Sequence, residues 1–134
     1  MGSSLQTVPR WLKEHPGFQC DVVFVDGGKT PDIRFKDFAN FAHMAHARTL
    51  VFFDEVTTLD CVNGTIPEEG CMLDANGKKI KDATTAKTAR GTNRAASRGI
   101  ISVDACKWPP GWAGLDGMCA AHYRFPLPAA ATLQ

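Results

Sequence analysis

The chain has 134 residues, 44% of them hydrophobic and 22% charged, and a formal net charge of +1. Such a balance suits one domain with a buried core and excludes a disordered chain held open by charge; it also gives no global pull toward nucleic acid or an anionic membrane. No apolar run is long enough to span a bilayer, and Met1-Gly2-Ser3-Ser4-Leu5-Gln6 lacks the basic stretch and apolar core of a signal peptide, so the expected compartment is the cytoplasm.

Residues 5–15 read as a short helix. Leu5, Val8, Trp11 and Leu12 share a face, and His15-Pro16-Gly17 stops it. Cys20-Asp21-Val22-Val23-Phe24-Val25 is a nearly continuous apolar run, which predicts a strand covered on both faces in a parallel sheet. Asp26-Gly27-Gly28 turns the chain. Thr30 suits an N-cap, with Pro31 at the first helical position and Asp32 in the first turn. The spacing of Phe35, Phe38, Ala39, Ala42 and Ala45 predicts a helix over 31–45. Leu50-Val51-Phe52-Phe53 is a second strand, closed by Asp54-Glu55. Strand, capped helix and strand make a βαβ unit with two parallel strands.

From 57 to 87 the periodicity fails, and Gly64, Pro67, Gly70 and Asn76-Gly77 predict a long flexible insertion with a small hairpin around Met72 and Leu73. A short basic helix follows over 86–98. Lys78, Lys79, Lys81, Lys87, Arg90, Arg94 and Arg98, against Asp82, give this stretch about +6 and leave about −5 for the rest. Phosphate or RNA binding is one reading of it; without interleaved aromatics, a solvated loop is preferred and nucleic acid is not the expected partner. Ile100-Ile101-Ser102-Val103 and Met118 to Phe125 are third and fourth strands, separated by a Pro/Gly/Trp-rich loop that permits an antiparallel pair. Residues 127–134 read as a disordered tail. The five cysteines (20, 61, 71, 106, 119) have no C-x-x-C spacing and read as reduced thiols; a Cys61–Cys71 disulfide would need an oxidising compartment. His43 and His46 suit a helix end rather than a metal. Trp108, Trp112 and Tyr123 either line a pocket or pack the last two strands on the sheet.

Chemistry concentrates where the two parallel strands end. Ligands of open α/β sheets bind beyond the carboxyl ends of strands. Asp26 follows the first strand, and Asp54 and Glu55 follow the second, so three carboxylates converge if the strands are neighbours. Hard cations such as Mg²⁺ take such oxygen ligands. Lys29, three residues past Asp26, reaches the same place and suits a general base if its proton affinity is lowered. Strand-end Asp residues that cap a turn are the plain alternative.

The stretch CDVVFVDGGKTPDIRFKDFANFAHMAHARTLVFFDEV resembles the second half of class I, Rossmann-like, S-adenosylmethionine-dependent methyltransferases, closest to the catechol O-methyltransferase-like group. There a strand typically reads D-x-V-F-I-D-G-x-H and the next ends in an acidic pair, as Asp21 to Gly27 and Asp54-Glu55 do here. Gly2 to Pro9 resembles the G-D-S segment before that strand, with Ser3 where Asp is common. The resemblance implies an α/β fold: a Rossmann-like half domain over residues 1–126, with a parallel βαβ unit followed by an antiparallel strand pair. It implies Mg²⁺ at Asp26, Asp54 and Glu55, with Lys29 as the catalytic base. It implies O-methylation of a small-molecule substrate with S-adenosylmethionine as cofactor. Lys29 departs from the D-G-x-H pattern but stands where catechol-type members carry a lysine. The Gly-rich cofactor loop and the ribose-binding acidic residue find no room before residue 5, so a truncated or inactive relative is expected, with an exposed sheet edge suited to a homodimer. A non-catalytic binding or assembly module is the alternative.

Overall fold

A computed structural model describes residues 3–74, 76–81, 83–110 and 117–132. Helix α1 (Ser4–Glu14) is capped by Ser3, whose hydroxyl accepts from the Leu5 amide. Strand β1 (Cys20–Val25) leads to α2 (Pro31–Ala42), capped by the Thr30 hydroxyl with Pro31 in the first turn, as expected of this sequence. Strand β2 spans Ala45–Val56, much longer than the expected four residues, because Ala45 to Thr49 continue extended alongside Cys20. Helices α3 (Leu59–Val62) and α4 (Ala83–Ser97) and strands β3 (Ile101–Lys107) and β4 (Gly117–Tyr123) complete the chain.

The four strands form one mixed sheet in the order β1-β2-β4-β3. β1 and β2 are parallel, while β4 lies antiparallel between β2 and β3. The βαβ unit and the closing antiparallel strand are therefore as the sequence predicts. The core lies on one face of the sheet. Val23, Val25, Val51, Phe53, Ala121 and Tyr123 point there and meet Phe35, Phe38 and Ala39 of α2 and Ala95 of α4. Phe38 and Phe53 meet edge to face, ring centres 5.3 Å apart.

The structure corrects four expectations. Among the described residues, β1 is covered on one face only. Val22, Phe24, Leu50 and Met118 are left half-exposed, because α2 and α4 both pack on the opposite face. Residues 57–87 are not one irregular loop. They hold α3, a 3-10 turn at Glu68–Met72, a Leu73–Lys79 bridge and the start of α4. Local periodicity hides these because tertiary bonds fix them: the buried Asn93 amide donates to the Cys61 and Ile66 carbonyls, and Arg94 grips Glu68. The tail turns back at Ala129–Ala131, where Ala131 is buried and its carbonyl meets His43. Finally, four cysteines are paired, not reduced. Cys61–Cys71 ties α3 to the 3-10 turn, and Cys106–Cys119 joins facing positions of β3 and β4. Cys20 alone is free. No helix among the described residues is long and apolar enough to cross a membrane.

Candidate functional site

The carboxyl ends of β1 and β2 bring Asp26, Lys29, Asp54 and Glu55 together, as the βαβ reading requires. The pairing of β2 with β4 shifts register between Phe53 and Val56, and Glu55 adopts a left-handed backbone (φ 57°). An irregularity of this kind re-aims side chains at a strand end, and a non-glycine residue in this region costs about 1–3 kcal/mol unless its surroundings hold it. Here two cations hold it. The Glu55 Oε2 atom accepts from Lys29 Nζ at 2.9 Å and from Arg34 at 2.8 Å. Lys29 also reaches Asp26 Oδ1 at 3.2 Å, and Arg34 reaches Asp54 Oδ1 at 3.2 Å and donates to the Val25 carbonyl.

Arg34 is the residue that the sequence reading passes over. Its side chain is fully buried, one turn before Phe38 on the apolar stripe of α2. A charge on that stripe is the signal that could have found it, since buried charges are almost always paired. Gly91 of α4 closes the roof: a Cβ there would stand 2.5 Å from the Pro31 carbonyl oxygen and 2.7 Å from Arg34 Cβ. Only glycine lets α4 lie this close.

The cluster's electrostatics follow from these pairs. The Lys29 hydrogen bond is the main reason that Asp26 holds its proton less tightly than an ordinary carboxyl. For Lys29, burial works to release the proton, but the hydrogen bonds it donates to Glu55 and Asp26 outweigh it and push the proton affinity up. An ion-paired, protonated lysine donates rather than accepts, which works against the base role expected of it. Burial, with the charges of Asp26 and Glu55, pushes Asp54 up despite Arg34. Asp54 thus holds a proton more tightly than an ordinary carboxyl.

The implied Mg²⁺ does not fit this arrangement. One oxygen of each of the three carboxylates is already held by Lys29 or Arg34, so two cations stand where the ion would sit. Among the described residues, no group of three or more His, Cys, Asp or Glu side chains could hold a metal ion. His43 turns to Ala131, and His46 to Asp21 at 3.0 Å.

A cleft of about 790 Å³ opens where β2 ends, lined from Thr57 onward. Leu59, Ile66, Pro67, Leu73 and Trp108 supply apolar walls, and Thr57 stands two residues beyond Glu55. Thr57 is 1% exposed, and its hydroxyl has no hydrogen-bond partner. Trp108 lines the cleft and also packs the end of the sheet, donating to the Val56 carbonyl at 3.4 Å and lying against Gly117. Tyr123 belongs to the core, and Trp112 lies outside the described residues. The cleft's outer wall is the segment held by Cys61–Cys71, Asn93 and Arg94.

Compared with models of known protein families and with curated proteins, the sequence matches none of them.

Proposed function

We propose that this chain is a Rossmann-like, methyltransferase-type half domain that binds a small, mainly apolar molecule carrying one hydrogen-bonding group. The observation that carries this is the apolar cleft at the carboxyl end of β2, with Thr57, whose buried hydroxyl has no partner, among its lining residues. Ligand sites of open α/β sheets lie in that place, and pockets of this size and lining take small molecules oriented by a few polar groups. A buried hydroxyl without a partner costs about 1–3 kcal/mol, which a ligand oxygen or nitrogen that reached it on binding would offset. The mixed sheet, with its last strand antiparallel, supports the methyltransferase-type reading of the fold.

S-adenosylmethionine, which the resemblance implies, finds no cradle at the glycine pair after β1. Gly27-Gly28 makes no open loop: a Cβ on Gly27 would meet the Asp37 carboxylate, one on Gly28 would meet Ile33, and the Gly28 amide donates to Asp37. Methyl transfer would therefore need a cofactor surface from outside these residues. The two disulfides favour an oxidising compartment over the cytoplasm. The basic segment gives nucleic acid little support, since Arg94 is committed to Glu68 and Asp32, and Arg98 stacks on Phe35.

A second reading, an assembly module, rests on the half-exposed Val22, Phe24, Leu50 and Met118 and on β1 standing at the sheet edge.

Thermal melts of the full chain test the proposal. Small aromatic alcohols should raise Tm, and Thr57→Val should lose most of that rise; S-adenosylmethionine alone should leave Tm unchanged. A rise with the cofactor alone would show a cradle that this reading denies. No rise with any alcohol would sink the cleft.

A further inference from the structure

The strand-end carboxylates carry a cation of their own. We infer that the Arg34 guanidinium occupies the place that the resemblance gives to a divalent metal, so that the cluster is metal-independent.

Three observations converge on this. Arg34 is fully buried, reaches the site from beneath, and touches both Asp54 and Glu55 while anchored to the Val25 carbonyl. A guanidinium is always charged and planar, and presents several donors at once, so one group can hold two carboxylates as a metal would. Next, Lys29 bridges Asp26 and Glu55 from the solvent side, so each of the three carboxylates already has a cationic partner. Lastly, Gly91 seats α4 close against Cβ and Cγ of Arg34, which packs the base of the side chain between α2 and α4.

Three carboxylates against two cations leave the cluster with one excess negative charge when all are ionised. It therefore repels anions and suits a ligand group that donates a hydrogen bond, a hydroxyl or an amine, rather than a group that chelates metal. This conclusion rests on the ion-pair geometry alone and stands whether or not the cleft at the end of β2 binds a small molecule.

The test is a set of thermal melts of the full chain, disulfides intact, across a Mg²⁺ series matched in ionic strength with KCl. The wild type should show no saturable response. Arg34→Met should melt lower, by roughly 10 °C or more, and regain part of the loss with Mg²⁺, because the vacated carboxylates then have a use for it. Should Arg34→Met fail to fold, the wild type and Lys29→Met decide. Lys29 is half-exposed, so its loss leaves a folded chain, and with Arg34 in place neither protein should respond. A saturable Mg²⁺ stabilisation of the wild type or of Lys29→Met overturns the inference. So does an Arg34→Met protein that melts like the wild type, or one that melts lower and regains nothing.

Discussion

Arg34 is the residue on which the strand-end site turns. Removing one partner of a buried ion pair leaves an uncompensated charge and costs about 3–5 kcal/mol. Arg34→Met should lose that much in urea unfolding, whereas Lys29→Met, at the solvent-exposed rim, should lose under about 1 kcal/mol. A double-mutant cycle of Arg34→Met with Glu55→Gln should show coupling of about 1–3 kcal/mol; additive losses would mean that the pair drawn at 2.8 Å is not formed in solution. The site was only partly legible in the sequence. Asp26, Lys29, Asp54 and Glu55 could be brought together from strand ends alone, because strand period and turn chemistry fix where they emerge. Arg34 and Thr57 could not. Arg34 shows in the sequence only as a charge on the apolar stripe of α2, with nothing to say which carboxylates it meets, and an unpartnered hydroxyl is a property of three-dimensional surroundings.

Among the elements, the segment between β2 and α4 shows how tertiary contacts replace local signals. Its turns looked like open loop because each piece is too short to show a period. Cys61–Cys71, the Asn93 amide and the Arg94–Glu68 pair fix it instead. Replacing both Cys61 and Cys71 by Ala should cost about 2–4 kcal/mol in chemical denaturation. Alkylation of the unreduced, unfolded chain should label one thiol, Cys20; labelling of five would restore the reduced-thiol reading. The Arg94–Glu68 pair also predicts a pH dependence. The Arg94 hydrogen bond lowers the proton affinity of Glu68 in the folded state. The stabilisation is therefore complete above the ordinary glutamate range and is lost as pH falls through the depressed folded value. Lowering the pH through that window should shift the urea midpoint of the wild type more than that of Glu68→Gln. Equal shifts would remove Glu68 from the acid response.

At the scale of the molecule, the half-covered sheet is the main departure from expectation. The continuous apolar run of β1 correctly signalled a parallel strand, but among the described residues helices lie on one face only. The second face, carrying Val22, Phe24, Leu50 and Met118, should bind an apolar dye. Phe24→Lys with Leu50→Lys should abolish that binding with little change in Tm, since these side chains lie outside the core; a cooperative melt lost in the double variant would place them in the core after all. The same molecule carries an apolar cleft at the strand ends, and the functional reading depends on which surface takes the ligand. The most direct measurement is an amide-resolved NMR titration of the labelled chain with a small aromatic alcohol. Saturable shifts confined to Thr57, Thr58, Ile66 and Gly70 are expected, with weaker binding in Thr57→Val. Shifts centred on Val22, Phe24, Leu50 and Met118 would contradict that expectation and move the function to the open face of the sheet.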